Sequence, residues 1–269
     1  MLPSEDTRSA PAYRAVILTA LPIEFQAVRE HLTELREEEH PDGSLYERGR
    51  FSSGKGTWEV LLVEAGTGNQ RAASETERAL QYFKPHVALF VGVAGGLKDV
   101  SPGDVVFAPK VYGYESGKVR TGFEPRPDVG ESSYPLEQRA RAEARKDQWR
   151  SRIQGAAPGG NPRALAGAIA AGEKVVAEKR SEHFRFLRTQ YGDALAVEME
   201  GRGFLVATRA HRHVHALVIR GISDCIDGKE EADAAGSQHL ASRHASAFAF
   251  EVLAGFVPPE ALSAPPGSG

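Results

Sequence analysis

A chain of 269 residues with 41% hydrophobic and 26% charged residues has the balance of a globular protein able to bury a sizeable core, which excludes a disordered or fibrous chain. Its formal net charge of -3 points to no polyanion, so no nucleic-acid partner is expected. The lone cysteine, Cys225, has no second thiol for an internal disulfide or a shared metal, a usage that fits a reducing compartment.

The polar start of the chain lacks the apolar stretch of a secretory signal. No segment approaches the roughly 18 apolar residues that span a bilayer. A cytoplasmic chain with no membrane partner is the expectation, with flexible termini at 1–13 and 258–269 around one domain over 14–257. AVILTA (15–20) reads as a buried strand, and Phe25, Val28 and Leu32 place a helix after Pro22. WEVLLVEAG (58–66) is a second buried strand, followed by a helix on which Ala72, Ala73, Thr76, Leu80 and Phe83 share a face. HVALFVGVAGG (86–96) is a third strand, ending in a glycine turn at Gly95 and Gly96. Further strands follow the Pro102-Gly103 turn, and the Gly- and Pro-rich stretch 113–135 reads as loop. A charged helix is expected over 137–152, broken at 156–164, with a strand entering a glycine-bearing turn in LAGAIAAGEKVVA. DALAVEMEGRGFLVATRA passes from strand to helix, 215–224 is the last strong strand, and 239–256 is a closing helix. Strands alternating with helices imply an α/β fold.

In open sheets of this kind ligands gather where strands end, and four carboxylates stand there: Glu24, Glu198, Glu200 and Asp224. Asp224, at the end of an apolar strand, has the setting of a general acid. Glu198 and Glu200, two residues apart, share a face if the segment is extended. Glu24 follows the first strand and is placed to activate a water. Each also has a purely structural reading: a turn residue for Asp224, a helix-surface carboxylate for Glu200, a first-turn helix glutamate for Glu24. His211, His213 and His215 alternate, but no carboxylate or thiol joins them locally, so no metal site is expected. Interleaved acids on the Arg-rich helix make it a solvated face.

Four segments in order, AVILTALPIEFQAV (15–28), VALFVGVAGGLKDVSPGDVVFAPKVYGY (87–114), ALAVEMEG (194–201) and VIRGISD (218–224), resemble the signatures of the nucleoside phosphorylase superfamily. They are most similar to its methylthioadenosine/S-adenosylhomocysteine nucleosidase branch, over about residues 14–256. The resemblance implies a central mixed, partly barrel-like sheet flanked by helices in a single domain. It also implies a metal- and cofactor-free enzyme of homo-oligomeric, most simply dimeric, form, which hydrolyses the N-glycosidic bond of a purine nucleoside or nucleotide. By motif, Glu24 prepares the attacking water, Glu200 holds the ribose hydroxyls with Met199 against the sugar and Glu198 nearby, and Asp224 protonates the purine with Ser223 in support. Gly95 and Gly96 form the turn beside the ribosyl group, and Arg220 tunes the acid or contacts phosphate. Two positions depart from the family pattern: Val93 stands where a hydroxyl is usual, and Val175 where a base-stacking aromatic is usual, so the base or 5′ pocket is altered. Phosphorolysis, with Arg71 or Arg120 as phosphate ligands, and a non-catalytic nucleoside-binding or sensor module remain alternatives.

Overall fold

The computed structural model describes residues 12–155, 161–174, 181–225 and 234–259. Its centre is a twelve-stranded mixed sheet. The first strand, β1 (Ala12–Thr19), begins inside the stretch expected to be a flexible leader, and runs parallel to β4 (Gly56–Glu64) and β5 (Val87–Gly96). β5 is also parallel along its whole length to β14 (His215–Cys225). These strands are the continuous apolar runs of the sequence, because both of their faces are covered. One face, with Ile17, Val60, Leu89 and Leu217, packs under α6 (Ala234–Gly255). The other, with Val16, Leu61, Phe90 and Val218, packs under α2 (Asn69–Phe83) and α5 (Gly201–Thr208).

The sheet divides at β5. Through its first half β5 has β1 on one side, paired from Val87 to Phe90; at its end that side is taken by β13 (Ala194–Glu198), antiparallel at Gly95 and Gly96. On the other side β14 carries an arm of β6 (Val105–Ala108) and β11 (Ala164–Ala166). Gly95 and Gly96 are therefore strand residues and not the expected turn, and neither has a positive φ. Glycine is needed at 96 because a Cβ there would lie 2.8 Å from Val100 Cγ2 and 3.1 Å from Ile222 Cγ2.

Three further expectations change. Residues 33–53, for which no element was expected, form β2 (Thr33–Glu39) and β3 (Leu45–Ser53), the antiparallel margin of the sheet. The stretch 113–135 carries a small hairpin, β8 (Gly117–Val119) and β9 (Phe123–Pro125), and β10 (Asp128–Glu131). β10 adds antiparallel to β7 (Lys110–Gly113), because backbone pairing needs no apolar pattern at a sheet edge. The charged helix is two pieces, α3 (Tyr134–Ala144) and a 3-10 turn Asp147–Arg152. The break lets Trp149 reach the core, where it meets Phe248 edge to face at 5.6 Å. Its cations are neutralised locally, Arg139 and Lys146 by Glu143 and Arg141 by Glu137, while Arg150 pairs with Asp147 and Arg152 with Glu251. The glycine-bearing turn at Gly172 follows β12 (Ala168–Ala171) as expected, and Val175 lies outside the described residues.

Candidate active site

The fork at β5 leaves the backbone of Val93 without a strand partner on the side that β1 has left, and Glu24 fills the vacancy. Glu24 sits at the third position of α1 (Pro22–Arg29), the helix that Pro22 opens directly after β1. Its Oε1 accepts from Val93 N at 2.8 Å, and its Oε2 accepts from Ala20 N at 2.7 Å and Leu21 N at 2.9 Å. The carboxyl is buried, and burial pushes its pKa up despite the Arg220 guanidinium and these three N–H donors. Glu24 thus closes the first turn of its own helix and faces the centre of the site at once.

Arg220 reaches the same place from β14. It pairs across the sheet with Gly92, and a Cβ on Gly92 would fall on Arg220 Nη1 and crowd Glu24 Oε1 at 2.5 Å. The missing side chain is the corridor through which the guanidinium approaches Glu24. Arg220 Nη2 donates to Glu198 Oε2 and, at 3.2 Å, to Glu200 Oε2. The guanidinium has no solvent exposure, and Glu198, Glu200 and Glu24 together hold it protonated.

Glu198 and Glu200 share one cation but do different work. Glu198 Oε2 accepts from Glu200 N at 3.0 Å and Gly201 N at 2.8 Å, so this carboxylate caps the start of α5. Glu200 Oε1 accepts from Gly68 N at 3.0 Å while its Oε2 takes the Arg220 bond, so this carboxylate links the turn before α2 to the guanidinium. Burial first, and then the Glu198 and Glu24 charges, push its pKa up to about 7 against the pull of Arg220 and Gly68. Met199 lies half-buried between the two glutamates.

Asp224 stands at the far end of the fork. A bulge between Ile222 and Asp224 shifts the β14 register so that Asp224 pairs with Gly95 and Cys225 with Gly96. Ser223 Oγ donates to Asp224 Oδ1 at 2.9 Å and lies 3.4 Å from the Ala94 carbonyl. The bulge is pinned from behind by the Pro102-Gly103 turn: Gly103 N donates to Ile222 O and Ile222 N to Asp104 O, each at 2.8 Å. Asp104 in turn accepts from Ser101 N at 3.0 Å and Arg163 N at 2.9 Å and pairs with the Arg163 guanidinium. His244 of α6 clamps Gly103 O at 2.6 Å.

The structure therefore gathers Glu24, Glu198, Glu200 and Arg220 around one point, with Gly95, Gly96, Ser223 and Asp224 on the adjoining strand ends. Gly68 and Asn69 are additions that the sequence reading missed. Gly68, with φ 100°, precedes α2; Asn69 Nδ2 donates to Gly172 O at 3.2 Å, and its Oδ1 accepts from Gly203 N at 2.9 Å. Asn69 so ties together the starts of α2 and α5 and the end of β12. The signal was present in Gly66-Thr-Gly68-Asn69 after an apolar strand, a glycine pair with φ of 75° and 100° at a strand-to-helix turn. Of the three histidines, His211 and His213 meet edge to face at 6.2 Å and His211 bonds Glu77 at 3.0 Å, while His215 packs on Phe256. Among the described residues no three His, Cys, Asp or Glu side chains group to hold a metal, and no helix is long and apolar enough to cross a membrane.

The forked mixed sheet, with carboxylates and the buried Arg220 at its strand ends, is an α/β scaffold that carries a charged site at its centre. The chain belongs to the phosphorylase superfamily, whose family model matches residues 14–258. It is 26% identical over 218 residues to a 5′-methylthioadenosine/S-adenosylhomocysteine nucleosidase of Staphylococcus haemolyticus, covering 80% of this chain and 88% of that one. It is 28% identical over 240 residues to the ATP nucleosidase Cap17 of Escherichia coli, covering 80% of this chain but only 46% of that protein. In fold it resembles the 5′-methylthioadenosine/S-adenosylhomocysteine nucleosidase of Colwellia psychrerythraea solved with adenine, with TM-score 0.74 and 23% identity over 91% of this chain and 96% of the other. The futalosine hydrolase of Helicobacter pylori gives TM-score 0.72 and 22% identity over 90% and 97%.

Proposed function

We propose that the protein hydrolyses the N-glycosidic bond of a purine nucleoside or nucleotide, releasing the free base. The observation that carries this reading is the meeting of Glu24, Glu198 and Glu200 on the buried guanidinium of Arg220 at the fork of the sheet. As the bond to the base breaks, the sugar gains positive charge and the base negative charge. Glu200 holds the ribose hydroxyls and its charge favours the cationic sugar, Met199 lies against the ring, and Asp224, steadied by Ser223, delivers a proton to the departing purine. Glu24 takes a proton from the attacking water, whose oxygen then bonds to the anomeric carbon while Arg220 supplies the facing N–H.

Three carboxylates around one arginine repel a phosphate dianion, which favours water as the acceptor over phosphorolysis. The likeness to methylthioadenosine, futalosine and ATP hydrolases supports the reaction type and leaves the 5′ substituent to experiment. Incubation with methylthioadenosine, adenosine, inosine and ATP, each with and without phosphate, is expected to release base from at least one of them without phosphate. Strict phosphate dependence would overturn the assignment of Glu24, and tight binding without turnover would favour a sensor.

One domain over 14–257, acting as a cytoplasmic homodimer, completes this reading. Val119, Phe123, Val129 and Val206 leave 77%, 41%, 40% and 44% of their surfaces exposed, an apolar display that a second copy would cover. Light scattering coupled to gel filtration tests the dimer, and a monomeric mass would refute it.

A further inference from the structure

Arg220 is buried without exposure, yet only Nη2 of its guanidinium is hydrogen-bonded; Nε and Nη1 have no hydrogen-bond partner among the described residues. A guanidinium in that state needs another source of attraction to keep its plane fixed, because burying a cation with unmade hydrogen bonds is costly. The structure supplies one: the Arg220 Cζ stands 4.6 Å from the centroid of the Phe90 ring, which is itself fully buried. Phe90 lies two residues before Gly92 on β5 and pairs with Val218, so its ring occupies the same face of the sheet as Arg220, one step back along the strands. Phe204 meets this ring at 5.6 Å and 74°, four residues beyond Glu200 on the helix that Glu198 caps.

We propose that Phe90 is a positioning residue of the active site, whose negatively polarised ring face holds the Arg220 guanidinium in register with Glu24 and Glu200. Gly92 leaves the corridor open, Glu198 and Glu200 draw Nη2 from one side, and Phe90 fixes the plane so that Nη1 faces the site beside Glu24. The charged groups around the cation are Glu24 from α1 and Glu198 and Glu200 from the β13–α5 junction, so a guanidinium that loses its plane weakens its hold on all three. The inference rests on the catalytic role of Arg220 for its kinetic consequences only; the contact has a readout that needs no activity.

The test replaces Phe90 by 4-fluoro-, 3,5-difluoro- and 3,4,5-trifluorophenylalanine. Fluorine drains electron density from the ring face while nearly preserving its shape, so packing is retained as the attraction fades. The titration of Glu24 and Glu200, followed by carbon-13 NMR of labelled carboxyls, is expected to move stepwise to higher pH along the series, because Arg220 favours their ionised forms. The acidic limb of kcat/KM moves with it and kcat falls roughly three- to thirtyfold at the trifluoro end, the range a buried cation–aromatic contact supplies. The same substitutions at Phe204 are expected to leave both titrations in place. Unmoved titrations across the Phe90 series, with damage only in Phe90→Leu, would reduce the residue to packing and overturn the proposal. A wild-type protein that releases no base from any purine substrate would sink the hydrolase reading, while the carboxyl titrations still decide the role of Phe90.

Discussion

Burial gives the Glu200 carboxyl a pKa near 7, and on the proposed mechanism it holds ribose in its ionised form. The rate should therefore climb with pH. A kcat/KM profile is expected to rise from pH 5 and bend near 7, and Glu200→Gln should lose at least a hundredfold in kcat/KM together with that bend, on the scale of one removed charge-stabilising group, roughly 10² to 10³. A flat profile in the wild type would separate Glu200 from catalysis. Asp224→Asn keeps the shape and the Ser223 neighbour but has no proton to deliver, so kcat should drop by about 10² to 10⁴ with KM changed little. A change confined to KM would leave Asp224 as a binding group. That these carboxylates stand at the ends of apolar strands was legible in the sequence, and the roles proposed for them come from the motif resemblance. What the motifs concealed was the division of labour between Glu198 and Glu200. That division depends on which N–H groups lie at the first turn of α5, and spacing alone cannot tell a cap from a ligand.

Among the elements, the Pro102-Gly103 turn behaves as a buttress for the bulge that presents Asp224. Arg163 anchors it through Asp104, whose carboxyl is kept below its ordinary range by the Arg163 bonds and its backbone donors in spite of burial. Arg163→Met leaves every group that faces substrate in place. It is expected to lower kcat severalfold and to weaken protection of the Ile222 amide in hydrogen exchange; unchanged exchange at that amide would show that the turn stands without Arg163. In α5, Gly203 packs so tightly on Asn69 that a Cβ would overlap the Asn69 backbone carbonyl, so Gly203→Ala should destabilise the protein by about 1–3 kcal/mol in urea unfolding.

The long apolar strands and α2 could be read from periodicity because both of their faces, or one full stripe, are buried. β2 could not, since TELREEE has no alternation. Its place in the sheet is secured by cross-strand pairs such as Glu38–Arg48–Glu59, at 3.2 and 3.0 Å, which become visible only once the strands are side by side. The glycine pair at 95–96 misled for a related reason. Glycine marks close approach as well as turning, and here a third strand comes in.

For the molecule as a whole, two buried groups work against each other as pH changes. Glu200 has a folded pKa raised above its ordinary 4.5, so its contribution to stability is complete below 4.5 and is lost as pH rises through about 7. His31, stacked on Phe250 and 3.2 Å from Ser246 Oγ where α1 meets α6, has its pKa lowered from 6.5 to about 4 by burial and by Arg152. Its contribution is present above 6.5 and is lost as pH falls through about 4. Thermal unfolding of the free protein should accordingly show Glu200→Gln gaining on the wild type between pH 5 and 8, and His31→Phe gaining between pH 6.5 and 4. Parallel curves for either pair would mean that the group titrates alike in the folded and unfolded chains.

The place where β1 leaves β5 bears on how freely this protein can vary. Glu24 is held there by the amide hydrogens of Val93, Ala20 and Leu21, and amide hydrogens are common to every residue but proline. None of the three bonds uses a side chain, so the cradle of Glu24 does not depend on a hydroxyl at position 93, where valine stands. Substitution at the half-buried Val93 can therefore proceed while the carboxylate proposed to activate water keeps its backbone donors.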